Sequence, residues 1–160
     1  MPSSHRDGKS AVPLGKEPSI KGTCSCASLR RLTRRVTQYY DNALRPSGLR
    51  VTQYSILAHI AEAADLSLTE LAARLDMDRT TLTRNLRPLE KAHWVELTAG
   101  PDRRSRSVRL TRGGAQRLKD AGPLWRAAEQ GFRRTVGRDE SAALRRLIAG
   151  AMSSLSSRDP

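Results

Sequence analysis

This 160-residue chain is long enough for one domain with a hydrophobic core and too short for two domains of ordinary size. Its 29 Lys and Arg against 16 Asp and Glu give a formal net charge of +13, which favours a polyanionic partner such as nucleic acid or an anionic membrane surface. Aromatic residues make up only 4% of the chain, too few for the stacking surface of a single-strand binder, so double-stranded DNA is the favoured nucleic acid.

The amino-terminal stretch predicts neither a membrane anchor nor a signal peptide. No apolar run in the chain approaches the roughly 18 to 20 residues that cross a bilayer, and the start lacks a continuous apolar segment. We therefore expect a cytoplasmic protein with no membrane partner. Residues 1–20 mix Pro, Ser, Gly and scattered charge without periodicity and predict a flexible tail, whereas residues 21–160 predict a single domain.

Two cysteines stand at the predicted start of the first helix. Cys24 and Cys26 are too few for a disulfide scaffold and too close together for a bridge between elements, so we expect reduced thiols. The unpaired amides of a helix start stabilise negative charge, and Arg30 and Arg31 follow about one turn later. A redox-active pair is one interpretation, and two inert cysteines are the other.

Two helices are predicted before residue 65. Residues 23–45 predict an amphipathic helix, because apolar residues recur three and four positions apart and stop before Pro46. Residues 51–64 predict a second helix that is apolar over much of its circumference, with Thr52 as its N-cap. This second helix is expected at the centre of the fold.

The next two predicted helices form a helix-turn-helix. Ser67 and Glu70 are spaced as a capping box, which predicts that a short helix begins at residue 68. Leucines at helical spacing predict another helix over residues 79–92, with Asp78 as its N-cap and Pro88 bending it. Two short helices around a tight turn are the helix-turn-helix arrangement.

The second of these short helices buries leucine on one face and displays arginine and threonine on the other. Such a face suits the major groove of DNA, because arginine can bond guanine O6 and N7 together and threonine can contact phosphate or the thymine methyl group. The alternative is an ordinary solvated helix face. The candidate DNA-binding residues on this helix are Arg79, Thr80, Thr81, Thr83, Arg84 and Arg87.

A β-hairpin is predicted next, from alternating apolar and polar residues around positions 95–97 and 108–110. Its tip crowds arginines around Asp102, and like charges so close repel unless something negative faces them. Beside a helix-turn-helix, this hairpin predicts a winged helix whose tip reaches the minor groove, with Asp102 holding one neighbouring arginine in place. The alternative is an exposed turn with incidental charge. The candidate DNA-binding residues of the tip are Arg103, Arg104 and Arg106.

Two further helices are predicted after the hairpin. Gly113-Gly114 and Gly122-Pro123 predict a broken start for the first of them. Apolar stripes on the first and last helices exceed what one small domain can cover, so they predict a homodimer. The stripe on the last helix consists of Leu144, Leu147, Ile148 and Met152.

The order of these elements and two sequence stretches resemble the MarR family of bacterial transcriptional regulators. LTELAARLDMDRTTLTRNLRPLEKAHWVEL and PDRRSRSVRLT carry the resemblance, and TRNLRPLEK and the D-x-R of Asp102 and Arg104 are its most specific parts. The resemblance covers about residues 24–155. It implies a mostly α fold with a small β-hairpin wing, in which a winged helix-turn-helix at about 51–112 is flanked by dimerisation helices at about 23–45 and 113–157.

The resemblance also implies how the chain meets DNA. It implies a homodimer whose first and last helices intertwine, bound to a palindromic operator with one winged helix in each half-site. It places Arg104 in the minor groove and residues around 79–87 at the major groove.

Two modes of regulation follow from the same resemblance. One branch of the family senses organic peroxides, and Cys26 with Tyr40 resembles part of that sensor, although Arg30 and Val51 stand where further tyrosines are expected. The family also implies a small aromatic or phenolic effector between the dimerisation helices and the DNA-binding lobe. The residues that could line its pocket, or instead belong to the core, are Tyr39, Tyr40, His59 and Trp125.

The sequence thus predicts a sequence-specific regulator of transcription, acting as a repressor until a small-molecule effector or thiol oxidation releases it. The alternative is a nucleoid-type architectural protein that coats DNA without sequence preference. No pairing of nucleophile and base, paired carboxylates or cofactor loop indicates an enzyme, so we expect no catalysis, cofactor or metal.

Overall fold

The computed structural model of the chain describes residues 24–63, 66–99 and 106–156. The helices in these ranges are α1 (Ser25–Leu44), α2 (Val51–Ala61), α3 (Leu68–Arg74), α4 (Arg79–Lys91), α5 (Arg112–Val136) and α6 (Arg138–Ser156). The strands are β1 (Leu66–Ser67), β2 (Val95–Ala99) and β3 (Arg106–Leu110), and a 3-10 turn, Arg45–Ser47, follows α1. The predicted tail and three wing-tip residues, Asp102, Arg103 and Arg104, lie outside the described residues.

The chain divides after residue 35 into two units. The described part of the first unit is the amino-terminal portion of α1, and the remaining described residues belong to the second. Across the described ranges, no helix combines the length and apolar character needed to cross a membrane.

The hydrophobic core of the second unit lies between α2, α3, α4 and the sheet. The sheet is antiparallel in the order β1-β3-β2, with Leu66 opposite Val108 and Val95 opposite Leu110. Largely apolar α2 lies in this core, as its sequence predicts. The fully buried side chains of the core include Leu44, Ile56, Leu57, Ile60, Leu71, Leu82, Leu86, Leu89, Val95 and Val108. This architecture confirms the predicted mostly α fold with a small β-hairpin wing.

Two of the predicted helix caps are confirmed. The Glu70 amide donates to Ser67 Oγ at 3.1 Å, and the Ser67 amide donates to Glu70 Oε2 at 3.0 Å, so both halves of the capping box form at the start of α3. At the start of α4, the Thr81 amide donates to Asp78 Oδ1 at 2.8 Å. Local side-chain chemistry therefore sets where both helices of the helix-turn-helix begin.

Helix α2 begins at Val51, as predicted, but its predicted cap and end are wrong. Arg50 is the N-cap residue instead of Thr52, and the helix ends at Ala61 instead of residue 64. The Val51 amide is satisfied from a distance, since it donates to Asp41 Oδ1 of α1 at 2.7 Å. The Gln53 side chain accepts from the amide of Arg50, the N-cap residue, at 2.9 Å. The start of α2 is therefore stabilised by a carboxylate ten residues earlier in the chain, and not by the hydroxyl group of a neighbouring residue.

The predicted break at the start of α5 is also wrong, because the helix runs without interruption from Arg112 through Pro123. Thr111 caps it by accepting the Gly114 amide at 3.0 Å. Gly114 is required by packing, since a Cβ at that position would overlap the Trp94 carbonyl group. Glycine here permits a close approach of two backbones and does not mark the end of a helix.

Candidate DNA interface

Helix α4 separates an apolar face from a basic one. Leu82, Leu86 and Leu89 are at most 2% exposed and pack into the core. The opposite face is exposed and carries Arg79, Thr80, Thr83, Arg84 and Arg87, five of the six residues predicted there. Thr81, the sixth, is half-buried. The three α4 arginines have no carboxylate partner within the described residues, so their charge is available to an outside anion.

The three threonines of this helix differ in what their hydroxyls can do. The Thr81 hydroxyl donates to Asp78 Oδ2 at 2.6 Å and serves the helix cap. The Thr83 hydroxyl donates to the Arg79 carbonyl oxygen at 2.7 Å, so it presents its methyl group and oxygen lone pairs outward. Thr80 is exposed, and its hydroxyl makes no hydrogen bond within the part of the chain that the structure describes. Thr80 is therefore the threonine best able to donate to a phosphate.

Asp78 is the acidic residue closest in sequence to the basic face, and its charge is occupied by the helix start. Hydrogen bonds from the Thr81 side chain and the Thr81 amide hold the pKa of Asp78 below its ordinary value. The carboxylate therefore stays ionised and directed at the first turn of α4, where unpaired amides attract it. An anion approaching the arginines meets a carboxylate that is already hydrogen-bonded within the protein.

The exposed side chains of α4 enclose an open depression of about 320 Å³. Three guanidinium groups and two hydroxyl groups line it, and no acidic side chain from residues 24–63, 66–99 or 106–156 does. Such a surface can bind phosphate oxygens and the acceptor atoms of guanine edges, because guanidinium offers two parallel donors. The lining residues are Arg79, Thr80, Thr83, Arg84 and Arg87.

In the described part of the wing, one predicted DNA-binding arginine is exposed and a second arginine is paired with a carboxylate. Arg106 begins β3, lies opposite Ala99 in the register, and is exposed. Arg109 lies opposite Glu96, and its Nε donates to Glu96 Oε1 at 2.7 Å. Cross-strand pairing therefore neutralises Arg109, a contact that depends on the register of the hairpin and has no signature in the local sequence.

The aromatic residues proposed for an effector pocket belong to two separate ring groups. Tyr39 and Tyr40 pack on each other and on Phe132, with ring centres 5.6 to 6.3 Å apart. Trp125 instead stacks on Tyr54 with the ring centres 5.7 Å apart. The fourth candidate, His59, is bonded through Nδ1 to the carbonyl of its own helix at position 55, at 2.8 Å. These contacts favour the core interpretation of the rings.

The two cysteines lie at the start of α1. Cys24 is half-buried, Cys26 is exposed, and both are free thiols. The Cys24 carbonyl accepts the Ser28 amide at 3.1 Å, so Cys24 forms part of the first helical turn. Cys26 is the more accessible of the two to an oxidant in solution.

Comparison with known proteins identifies the family. Residues 47–105, which include α2, α3, α4 and β2, match the MarR family. The transcriptional regulator MosR of M. tuberculosis in complex with DNA superposes on this structure with a TM-score of 0.77. It is 40% identical, and the alignment covers 85% of this chain and 99% of MosR. The chain belongs to the MarR family.

Two further comparisons, both with MarR of E. coli, place the match in context. A mutant MarR of E. coli complexed with operator DNA superposes with a TM-score of 0.75 and is 26% identical, covering 84% of this chain and 99% of that one. The multiple antibiotic resistance protein MarR of Escherichia coli is 37% identical over 92 residues, which are 54% of this chain and 64% of that protein. These likenesses confirm the predicted family and the winged helix-turn-helix fold.

Proposed function

We propose that this MarR-family chain is a sequence-specific transcriptional regulator that binds a palindromic operator in double-stranded DNA as a homodimer. The observation that carries the proposal is the exposed face of α4, where three arginines without a carboxylate partner among the described residues stand opposite a leucine stripe. The solved complexes of MosR with DNA and of mutant MarR with operator DNA support it.

On this proposal the residues of α4 have different tasks. Arg84 and Arg87, in the middle of the helix, contact base edges in the major groove. Arg79 and Thr80, in its first turn, contact phosphate through the guanidinium group and the hydroxyl group. Thr83 offers its methyl group to a thymine, because its hydroxyl proton is already donated within the helix. Thr81 acts indirectly by closing the cap with Asp78.

The wing completes the proposed interface. Arg106 is exposed where β3 begins, and Arg103 and Arg104 precede it in the sequence. We assign Arg104 to the minor groove, Arg103 and Arg106 to the adjacent phosphates, and Asp102 to holding the Arg104 guanidinium in place. Residues 79–112 hold nine Lys or Arg against three acidic residues, a concentration of charge that a DNA backbone would neutralise.

The homodimer is supported by apolar side chains left in solvent in each unit. In the first unit, Leu29 and Leu32 are 54% and 38% exposed. In the second, Leu147 and Leu155 of α6 are 72% and 71% exposed. Exposed leucines repeated along a helix are typical of a protein–protein interface, and a second copy of this chain supplies the matching faces.

For regulation, we propose a cytoplasmic repressor that leaves DNA when its ligand state changes. One route is a small aromatic or phenolic effector, and the other is oxidation of Cys26 or Cys24. The exposure of Cys26 supports the second route. Treating the DNA-bound protein with a peroxide, with Cys26→Ser and Cys24→Ser as controls, separates thiol release from release by added phenols.

Selection of bound fragments from a random DNA pool tests the proposal. A regulator should enrich one palindrome and prefer it over bulk DNA by about 10³-fold or more at fixed salt. A nucleoid-type protein should enrich none, and that result would replace regulation with the architectural alternative. The oligomeric state should be measured on the same preparation by sedimentation.

A further inference from the structure

The chain leaves the carboxyl end of α4 through a constrained reversal. The His93 amide donates to the Glu90 carbonyl at 2.9 Å, and the Trp94 amide donates to the Leu89 carbonyl at 2.9 Å. His93 has a φ of +55°, a left-handed conformation that non-glycine residues rarely adopt. This reversal, residues 92–94, which we call the α4–β2 joint, connects the proposed recognition helix to the wing.

The amino end of α5 holds the backbone of the joint. The Thr111 hydroxyl donates to the His93 carbonyl at 2.6 Å, and the Thr111 amide donates to the Trp94 carbonyl at 3.1 Å. Gly114 lies so close that no Cβ fits beside the Trp94 carbonyl. The joint therefore cannot shift along α5 without losing two hydrogen bonds.

Arg117, one turn further along α5, extends this contact to a third element. Its Cζ atom lies 5.2 Å from the centre of the Trp94 ring, within cation–π range. Its Nη1 atom donates to the Ser47 carbonyl at 2.9 Å. Ser47 is only 5% exposed and ends the 3-10 turn that follows α1. One guanidinium thus joins α5, the turn that follows α1 and the α4–β2 joint.

We infer that Arg117 is a positioning residue for DNA recognition, which fixes the orientation of α4 through Trp94. The inference rests on the proposed function, because it concerns how well the α4 arginines align with base edges. Contacts to bases require a fixed helix orientation, whereas phosphate attraction tolerates a range of orientations. Loss of Arg117 should therefore harm operator binding and spare non-specific binding.

Binding of the full chain to the selected operator and to unrelated DNA tests this inference. Arg117→Met should weaken operator binding by about 10-fold, the scale of one lost cation–π contact and one charge-assisted hydrogen bond. Affinity for unrelated DNA and the salt dependence should stay near wild-type values. Lys119→Met, which removes an exposed charge from the same helix, should leave both affinities unchanged.

Substitutions of Trp94 test whether Arg117 acts through the indole ring of that residue. Trp94→Phe keeps an aromatic face and should retain most of the operator affinity, whereas Trp94→Leu should reproduce the loss seen for Arg117→Met. The double variant of Arg117→Met and Trp94→Leu should be little worse than either single variant, since both remove the same contact. Additive losses, or equal losses on operator and unrelated DNA, would overturn the inference.

Hydrogen exchange without DNA separates this inference from the proposed function. In Arg117→Met, amides 89–94 should exchange faster while those of the α2 core keep their protection. Unchanged protection at the joint would overturn the inference even if operator binding fell. A wild-type protein that prefers no DNA sequence would overturn the proposed function, and with it the role of Arg117 in recognition, whereas exchange would still show whether Arg117 holds the joint.

Discussion

Tyr40 of α1 donates a hydrogen bond to Glu129 of α5 across 2.5 Å. The same carboxylate accepts from Arg133 Nε at 3.0 Å and from Arg145 Nη1 of α6 at 3.3 Å. The Tyr40 side chain is buried, and burial together with the bond to Glu129 raises the pKa of its phenol. One carboxylate therefore connects the carboxyl-terminal half of α1 to α5 and α6.

The Tyr40–Glu129 bond predicts a loss of stability in acid. The Tyr40 hydrogen bond, followed by those from Arg133, lowers the pKa of Glu129 below its ordinary value of 4.5. A lowered pKa in the folded state contributes stability that is present above that ordinary value and is lost as the pH falls through the folded-state pKa. The free energy of unfolding should therefore fall less steeply between about pH 5 and about pH 3 in Glu129→Gln than in the wild type.

Tyr40→Phe removes the hydrogen bond while keeping the ring. We expect a loss of about 1 kcal/mol in the free energy of unfolding near neutral pH, modest because Glu129 still reaches water. Tyr39→Phe is the matched control, because the Tyr39 hydroxyl donates to the neutral Ala128 carbonyl at 3.2 Å. Tyr39→Phe should leave the pH dependence of the free energy of unfolding as it is in the wild type. A steeper acid dependence in Tyr40→Phe than in the wild type would contradict this account.

Two adjacent glycines should respond in opposite ways to alanine. Gly114→Ala places a Cβ against the Trp94 carbonyl and should destabilise the protein by about 1 to 3 kcal/mol, as overpacking does. At Gly113 the added Cβ would lie 3.6 Å from Thr111 Oγ1 and 3.7 Å from the His93 carbonyl oxygen, which is ordinary contact. Gly113→Ala should therefore be neutral or stabilise by up to about 1 kcal/mol. Thermal unfolding of both variants measures the difference.

Arg84 should determine base preference. Arg84→Ala should weaken operator binding by about 1 to 3 kcal/mol and relax the preference at one position of each half-site. Arg84→Lys should not restore that preference, because lysine lacks the two parallel donors of guanidinium. Lys119→Ala is the control for loss of one exposed charge. A uniform loss across all DNA sequences would show that Arg84 contacts phosphate only.

In the wing, Asp102 and Arg104 are expected to contribute to operator binding as a coupled pair. Arg104→Ala should weaken operator binding by about 1 to 3 kcal/mol, and Asp102→Ala should reproduce part of that loss. Because Asp102 is proposed to act only by orienting Arg104, the double variant should be little weaker than Arg104→Ala alone. If the two losses added, Arg106 would be the better partner for Asp102.

The salt dependence of DNA binding tests the proposed contact of Arg103 with phosphate. Arg103→Ala should modestly flatten the fall of DNA affinity with rising salt if Arg103 contacts phosphate.

The exposed leucines of α6 predict a dimer that a single charge can disrupt. Leu147→Glu should shift the sedimentation profile from dimer to monomer at micromolar protein, because a carboxylate would be buried in the apolar interface. Ser153→Glu is the matched control, since at 100° per residue position 153 faces away from Leu147 and Leu155. A wild-type monomer with intact fold would contradict the proposed homodimer.

The sequence predicted most accurately those features that depend on residues close together in the chain. The leucine stripe of α4, the capping box of Ser67 and the cap at Asp78 all arise within one or two helical turns, and all three are present. Pro88 was expected within α4 and lies there. Local periodicity and capping chemistry were therefore sufficient to define the basic face of α4.

The features that sequence reasoning missed depend on residues distant in the chain. Asp41 accepts a hydrogen bond from the first amide of α2, and Tyr40 donates one to Glu129, 89 positions away in the chain. Neither contact is indicated by a local sequence pattern. Strand β1 has only two residues, too few to show alternation. Gly113-Gly114 looked like a helix break because the packing of Gly114 against Trp94 is visible only in three dimensions.

Strand β1 has a consequence for the order in which the molecule assembles. β2 and β3 are neighbours in the chain and can pair by closing a short loop, but Leu66 pairs with Val108, 42 positions away. Closing the longer loop costs more chain entropy, and contacts of long sequence separation slow folding. We expect the hairpin to form early and the β1–β3 pairing late, after α3 and α4 have collapsed between them. Refolding should then show amide protection arising in β2 before it arises at Leu66.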